Sequence, residues 1–235
     1  MRRRSSGSRL SLIRCCRRVS LAVIGRTQLR NAALALALAV TAGCGQVVSI
    51  WGDSQTHNGT ANITSQYSDP TVVDVRARPG CGLYGNPICP IPDWAPVVTA
   101  ARSSYAQSNT PVACFVVHLG LNDALWKTDL TSRNYALMLD RFLNLFPSTD
   151  KIVWLNEPYA QSPTLPGLDA RLQFLNGEVL KAASRFPNLT VWDLRAHFIG
   201  HFPAWYAADG FHFNQHGLVA YAAQVRAATD SVGCS

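Results

Sequence analysis

Short apolar segments alternate with longer helical patterns along most of this chain. Several of these segments hold an almost continuous run of apolar residues, which is typical of strands buried on both faces of a parallel sheet. The candidate strands cover residues 47–51, 71–76, 112–118, 151–156 and 189–194, and the candidate helices cover residues 94–107, 133–146, 168–186 and 215–232. This order predicts an α/β fold, a three-layer α/β/α sandwich on a five-stranded parallel sheet with right-handed crossovers.

The first helix of such a fold should follow the first strand, at residues 54–65. This segment is polar and contains Gly59. Because glycine destabilises a helix interior, we expect this helix to be short or irregular.

The N-terminal part resembles an export signal. Residues 1–30 contain nine arginines and no acidic residue, and an apolar stretch of 11 residues follows at 32–42. That stretch is short for a membrane span, which needs roughly 20 residues. We therefore predict a leader at 1–43, one domain at 44–235, and a secreted or cell-envelope location.

The fate of the leader stays open between three outcomes. In the first, signal peptidase cleaves the leader, because Val40 and Ala42 suit the −3 and −1 positions of its site. In the second, Cys44 is acylated, because it lies in a partial lipobox. In the third, the leader stays uncleaved as an anchor. We expect membrane association only through this leader or a lipidated Cys44.

The leader also explains the net charge of +7. It holds nine of the 21 Lys and Arg residues, which leaves 12 basic residues against 14 acidic ones in the rest of the chain. A protein that binds nucleic acid carries its positive charge on the folded domain. We therefore exclude nucleic acid as a partner.

Three of the seven cysteines, Cys15, Cys16 and Cys44, lie in or beside the predicted leader, and the other four lie farther along the domain. An even number in an exported domain is consistent with two disulfides. Cys81 and Cys89 bracket a loop rich in Gly and Pro, so we predict a local bridge there and a second one between Cys114 and Cys234. The alternative for Cys114 is a small buried side chain within a strand.

Four short polar motifs follow predicted strands or precede the last helix. They read GDS at 52–54, PGCG at 79–82, GLND at 120–123 and DGFH at 209–212. Each motif alone is a common turn or helix cap. The carboxyl ends of parallel strands meet at one edge of a sheet, so we expect the motifs to converge. Their order and placement together indicate a catalytic site.

The motifs resemble the four blocks of the SGNH hydrolase family, the GDSL-like esterases and lipases, named after a serine, a glycine, an asparagine and a histidine. Ser54, Gly80, Asn122 and His212 match these in turn, and the resemblance covers essentially the whole chain after the leader. It implies a flavodoxin-like sheet, a Ser-His-Asp triad and an oxyanion hole. The first block continues with Gln55 instead of leucine, which we expect to affect packing more than chemistry.

The residue types suit these roles on chemical grounds. A serine hydroxyl becomes a good nucleophile when a base removes its proton, and His212 is the candidate base for Ser54. Asp209 would hold the imidazole in the required tautomer. The backbone N–H groups of Ser54 and Gly80 and the side-chain amide of Asn122 would bind the developing oxyanion.

Two of these assignments have competitors. Gly82 lies in the same motif as Gly80 but farther from the strand end. His216 competes with His212 as the base, although it falls inside the last helix and seven residues from Asp209. We expect no metal and no cofactor, because the sequence has neither an HExxH motif nor paired CxxC motifs.

Aromatic residues in the loops at the same edge suggest contacts with substrate, and we select Tyr84, Trp126 and Trp205. The alternative is packing beneath the loops.

The predicted function is a secreted serine esterase acting on a short-acyl ester of a glycan or small molecule. Two alternatives stay open: an O-acyltransferase that passes the acyl group to a glycan hydroxyl, and a non-catalytic binding protein on the same fold.

Overall fold

Five parallel strands form one sheet in the part of the chain that the computed structural model describes, residues 45–68, 71–89 and 94–234. The strands are β1 (Val47–Gly52), β2 (Val72–Ala77), β3 (Val112–His118), β4 (Ile152–Leu155) and β5 (Leu189–Trp192). Their order across the sheet is β2-β1-β3-β4-β5, and every neighbouring pair is parallel. The predicted five-stranded parallel sheet is confirmed.

Helices cover both faces of this sheet. They are α1 (Ser54–Asn58), α2 (Thr60–Thr64), α3 (Ala95–Gln107), α4 (Leu121–Trp126), α5 (Ser132–Leu143), α6 (Leu168–Ala183), α7 (Leu194–Phe198) and α8 (Gln215–Ser231). Side chains of α3, α5 and α6 pack with one set of strand residues, and side chains of α2, α7 and α8 pack with the other set. In β1, for example, Trp51 belongs to the first core and Ile50 to the second. The three-layer sandwich therefore follows from alternation along buried strands.

The helix elements differ from the sequence prediction mainly where they are short. The segment 54–65 divides at Gly59 into α1 and α2, as its polar composition indicated. Helices α4 and α7 have six and five residues and were not predicted. One or two helical turns are too short to show a hydrophobic period, so the sequence carries little signal for them.

The cysteines separate into one bridge and two thiols. Cys81 and Cys89 form the predicted disulfide. The predicted bridge between Cys114 and Cys234 is wrong, because both residues are free and buried. The thiol of Cys234 donates to the carbonyl oxygen of Ala113, and its hydrogen bond with Cys114 together with burial raises the pKa of the Cys114 thiol. These two side chains fill the core on the α8 face of the sheet.

Within the described residues, none of the helices combines the length and the apolar character needed to cross a membrane. The predicted leader and Cys44 lie outside the described residues.

Candidate active site

Strand register brings the polar motifs to one edge of the sheet. Gly52 at the end of β1 pairs with Ala77 at the end of β2 and with His118 at the end of β3. The GDS, PGCG and GLND motifs all begin at or just after this level. The fourth motif, DGFH, lies just before α8 and reaches the same edge through contacts with α1.

Ser54, His212 and Asp209 form a continuous chain of hydrogen bonds. Ser54 is the first residue of α1, and its Oγ lies 3.0 Å from Nε2 of His212. On the other side of the imidazole, Nδ1 lies 2.7 Å from Oδ2 of Asp209. The candidate nucleophile, base and orienting carboxylate therefore lie within the contact distances of a catalytic triad.

The backbone around Asp209 fixes the direction of its carboxylate. Its Oδ1 accepts hydrogen bonds from the backbone N–H groups of Phe211 and His212, at 3.1 and 2.9 Å. Partial burial raises the pKa of Asp209, but the hydrogen bonds from the side chain and backbone of His212 outweigh this and hold the pKa below its ordinary value. The carboxylate is therefore ionised at neutral pH and faces the imidazole.

Asn122 connects the first three motifs. It lies in the first turn of α4 and is buried, and its Nδ2 donates to Oδ2 of Asp53 at 3.1 Å and to the carbonyl oxygen of Cys81 at 3.2 Å. To bind an oxyanion, the amide must exchange one of these contacts for the substrate oxygen. Catalytic hydrogen bonds commonly tighten only when substrate is present.

The two glycines of the second motif have different surroundings. Gly80 has φ +78°, which favours glycine, and its carbonyl oxygen accepts from Nδ2 of Asn86. Gly82 packs so tightly against Asp123 that a Cβ would lie 2.3 Å from the carboxylate. A Cβ at Gly80 would likewise lie 2.4 Å from Cγ2 of Ile88, so packing does not separate the two glycines. Gly80 stays our prediction for the oxyanion donor because it lies closer to the end of β2.

Asp53 and Asp123 hold the loops that carry the candidate site. Oδ1 of Asp53 accepts from the backbone N–H of Gln55 and caps α1. The two carboxylate oxygens of Asp123 accept from the backbone N–H groups of Leu83 and Tyr84.

The sequence of this chain matches a model of the GDSL-like Lipase/Acylhydrolase family over residues 40–218. The chain belongs to this family. Among curated proteins no sequence matches it.

Solved structures of several other proteins share the fold of this family member at low sequence identity. The Mycobacterium smegmatis aryl esterase is 17% identical with a TM-score of 0.60, and the alignment covers 78% of this chain and 100% of that one. A carbohydrate acetylesterase family member from Sinorhizobium meliloti is 15% identical with a TM-score of 0.60, over 80% and 98% of the two chains. The C-terminal catalytic domain of Streptococcus pneumoniae peptidoglycan O-acetyltransferase A is 15% identical with a TM-score of 0.57, over 81% and 96%.

The aromatic residues selected from the sequence occupy different environments in this GDSL-like protein. Tyr84 stacks on the buried Tyr135, with ring centroids 6.3 Å apart. Trp205 stacks on His201. Trp126 is 45% exposed at the end of α4. Packing thus accounts for Tyr84 and Trp205, whereas Trp126 keeps a free surface for a ligand.

The competing histidine is not part of the hydrogen-bonded chain. Among the described residues, His212 is the histidine that hydrogen-bonds Ser54, whereas His216 is exposed in the first turn of α8. Within the same residues, no cluster of His, Cys, Asp and Glu could hold a metal ion.

Sequence reasoning missed one buried carboxylate beneath this site. Glu157 follows β4, accepts from the backbone N–H of Leu121 at the start of α4, and has its Oε2 3.5 Å from Nε2 of the buried His118. Nδ1 of His118 lies 3.0 Å from the hydroxyl of Tyr221. The only signal in the sequence was a polar residue directly after an apolar strand.

Proposed function

We propose that this chain is a serine esterase that hydrolyses short-acyl carboxylic esters through an acyl-enzyme on Ser54. The hydrogen-bonded chain from Ser54 through His212 to Asp209 is the observation that carries the proposal. His212 would take the proton of the attacking hydroxyl and pass it to the departing alcohol, while Asp209 stabilises the imidazolium. Water activated by the same histidine would then release the acid.

The proposed oxyanion donors lie in the first three motifs. They are the backbone N–H groups of Ser54 and Gly80 and the side-chain amide of Asn122. Removing one such donor typically costs about 10²–10³ in rate. The bonds from Asn122 to Asp53 and Cys81 support this placement because they bring the amide beside the nucleophile motif.

An acetyl ester on a glycan or a small molecule is our proposed substrate class. The fold is shared with an aryl esterase and with a carbohydrate acetylesterase family member, which supports this class.

We also propose export, supported by the leader-like composition of residues 1–43 and by the Cys81–Cys89 disulfide. Structural disulfides persist in oxidising compartments outside the cytosol.

The test is hydrolysis of p-nitrophenyl acetate, butyrate and palmitate, with acetylated polysaccharides in the same panel. We expect acetate to be preferred, and Ser54→Ala to lose both turnover and labelling by a fluorophosphonate probe. Ser65→Ala, at an exposed serine just after α2, is the matched control and should keep both. A folded wild-type protein that neither turns over any ester nor reacts with the probe would contradict the proposal.

An acyltransferase would use the same triad but pass the acyl group to a sugar hydroxyl. Product analysis with a glycan acceptor present separates the two activities. We expect free acid as the main product. Acylated glycan as the main product would show that the protein is an acyltransferase and contradict the proposed hydrolysis.

A further inference from the structure

One buried side chain connects the helix of the nucleophile to the loop of the proposed base. Gln55 directly follows Ser54 in α1 and is 1% exposed. Its Nε2 donates to the carbonyl oxygen of Phe211 at 2.5 Å, and its Oε1 accepts from the backbone N–H of Phe213 at 3.1 Å. The two contacts lie on either side of His212.

We infer that Gln55 is a positioning residue, whose amide holds the backbone on both sides of His212 and so sets the distance between the imidazole and the Ser54 hydroxyl. This inference rests on the proposed function and deepens it. The sequence suggested that Gln55, in place of the leucine found in the family motif, affects packing more than chemistry. The inference corrects that expectation.

The other hydrogen bonds of the loop at 206–213 join it to itself and, through the carbonyl oxygen of Gly210, to the backbone N–H of Gln161. Tyr206 and Phe213 form an antiparallel bridge, and the backbone N–H of Ala207 donates to the carbonyl oxygen of His212 at 2.8 Å. The carboxylate of Asp209 binds backbone within the same loop. These bonds preserve the shape of the loop but do not fix its position relative to α1.

Gln55 supplies the link to α1 by hydrogen bonding, in addition to the contact between Ser54 and His212. That contact is partly open to solvent, since the His212 side chain is 32% exposed. The two bonds of Gln55 lie on a buried side chain, where water cannot replace a lost partner. The Gln55 side chain is thus well suited to fix the position of the His212 loop relative to α1.

The chemistry at this position requires a donor and an acceptor on one planar group. The carbonyl of Phe211 needs a donor and the N–H of Phe213 needs an acceptor, and an amide provides both. Leucine provides neither. An ionised carboxylate provides only the acceptor, whereas a protonated carboxyl group again provides both.

These differences define the variants. We expect Gln55→Leu to lower kcat about 10–100-fold with little change in KM, because misplacement of a catalytic group by about 1 Å can cost about 10²-fold in rate. In Gln55→Glu, the ratio of its kcat to the wild-type kcat should rise as pH falls from 8 to 5, as the carboxyl group gains its proton. Both kcat values are measured at the same pH, so the ratio reports what the substitution changes.

Thr56→Val is the matched control. Thr56 is the next residue of α1, is buried, and hydrogen-bonds the hydroxyl of Tyr221 and not the His212 loop. Its replacement removes a buried hydrogen bond from the same helix. We expect a lower Tm but a kcat within about threefold of wild type, because the lost bond does not reach the triad.

Hydrogen exchange of the Phe213 amide gives a readout that does not depend on activity. It should lose protection in Gln55→Leu and keep it in Thr56→Val. Unchanged kcat and unchanged exchange in Gln55→Leu, equal loss of kcat in Thr56→Val, or a pH-independent ratio for Gln55→Glu would each overturn the inference. If wild type lacks esterase activity but the exchange difference is present, the link holds and the proposed function fails instead.

Discussion

The side-chain amide of Asn122 donates to the carboxylate of Asp53 across 3.1 Å, although the two residues are 69 positions apart in the chain. This bond attaches the start of α4 to the residue directly before Ser54. The proposed oxyanion donor is therefore positioned by the same carboxylate that caps the nucleophile helix.

We predict that Asn122→Ala lowers kcat by about 10²–10³ with little change in KM, because the donor acts mainly on the charge that develops in the transition state. Stopped assays with p-nitrophenyl acetate across a range of concentrations measure both constants. Asn156→Ala is the control: Asn156 is also buried but bonds Asp193 and Arg195, so its kcat should stay within about threefold of wild type. A loss confined to KM would contradict the oxyanion role.

Asp209→Asn should lower kcat/KM by about 10³–10⁴ at neutral pH. The backbone N–H groups of Phe211 and His212 require an oxygen at the Oδ1 position, so the new amide NH₂ would face Nδ1 of His212. Nδ1 would then have to accept, the ring proton would lie on Nε2, and the imidazole could no longer take the proton of Ser54.

Circular dichroism of Asp209→Asn should show an intact fold, so that the loss reports chemistry. His216→Gln changes the competing, exposed histidine and should retain wild-type activity. If His216→Gln were inactive and Asp209→Asn active, the base would have to be reassigned.

Sequence patterns predicted those parts of the fold that depend on local, repeated signals. The bounds of β3 matched the prediction at 112–118 because its apolar run ends at a histidine and then a glycine turn. The motifs that contain Ser54, Asn122 and His212 were assigned to one edge because parallel strands end together.

Contacts between distant segments left no such signal. Gln55 bonds residues 156 and 158 positions away, and Glu157 bonds Leu121 36 positions away. Each partner is a backbone group, which any residue type provides, so the sequence of the partner carries no information. The same reason explains the error at Cys234, whose thiol binds a backbone carbonyl.

The Cys81–Cys89 disulfide should stabilise the loop that carries Gly80. Closing a loop with a separation of eight residues is worth about 2–3 kcal/mol in the chain-entropy model. Cys89→Ser should therefore lower the free energy of unfolding in urea by about that amount. The carbonyl oxygen of Cys81 also accepts a hydrogen bond from the side-chain amide of Asn122. Loss of the disulfide should therefore lower kcat as well.

A thiol count tests the same assignment directly. In the denatured domain 45–235, reaction with Ellman's reagent should find two thiols, Cys114 and Cys234. Four thiols would show that the Cys81–Cys89 bridge is absent in solution, and none would restore the second bridge.

The buried groups around Glu157 predict how stability depends on pH. Burial and the Glu157 carboxylate raise the pKa of Asp53 to about 7. Burial and, to a smaller extent, the Glu157 carboxylate raise the pKa of Asp123 to about 7, against two backbone hydrogen bonds that lower it. Burial disfavours the charged form of His118, but the same carboxylate brings its pKa above the ordinary value.

The raised pKa values of Asp53, Asp123 and His118 all change stability with pH in the same direction. A group whose pKa is raised on folding binds its proton more tightly in the folded state, so stability falls as pH rises through the interval between the two pKa values. For Asp53 and Asp123 this interval runs from the ordinary value of 3.8 to about 7. For His118 it begins at the ordinary value of 6.5. The free energy of unfolding contributed by these groups therefore declines between pH 5 and pH 8.

Glu157→Gln removes the charge that raises all three pKa values while its carbonyl oxygen can still accept from the N–H of Leu121. We predict that the decline between pH 5 and pH 8 becomes smaller by about 1 kcal/mol, which corresponds to about one pKa unit at one group. Urea unfolding at several pH values measures it. Glu178→Gln is the control, since Glu178 is equally buried but pairs with Lys181 on α6, so its pH slope should match wild type. Identical slopes in both variants would show that Glu157 does not set the proton affinity of this cluster.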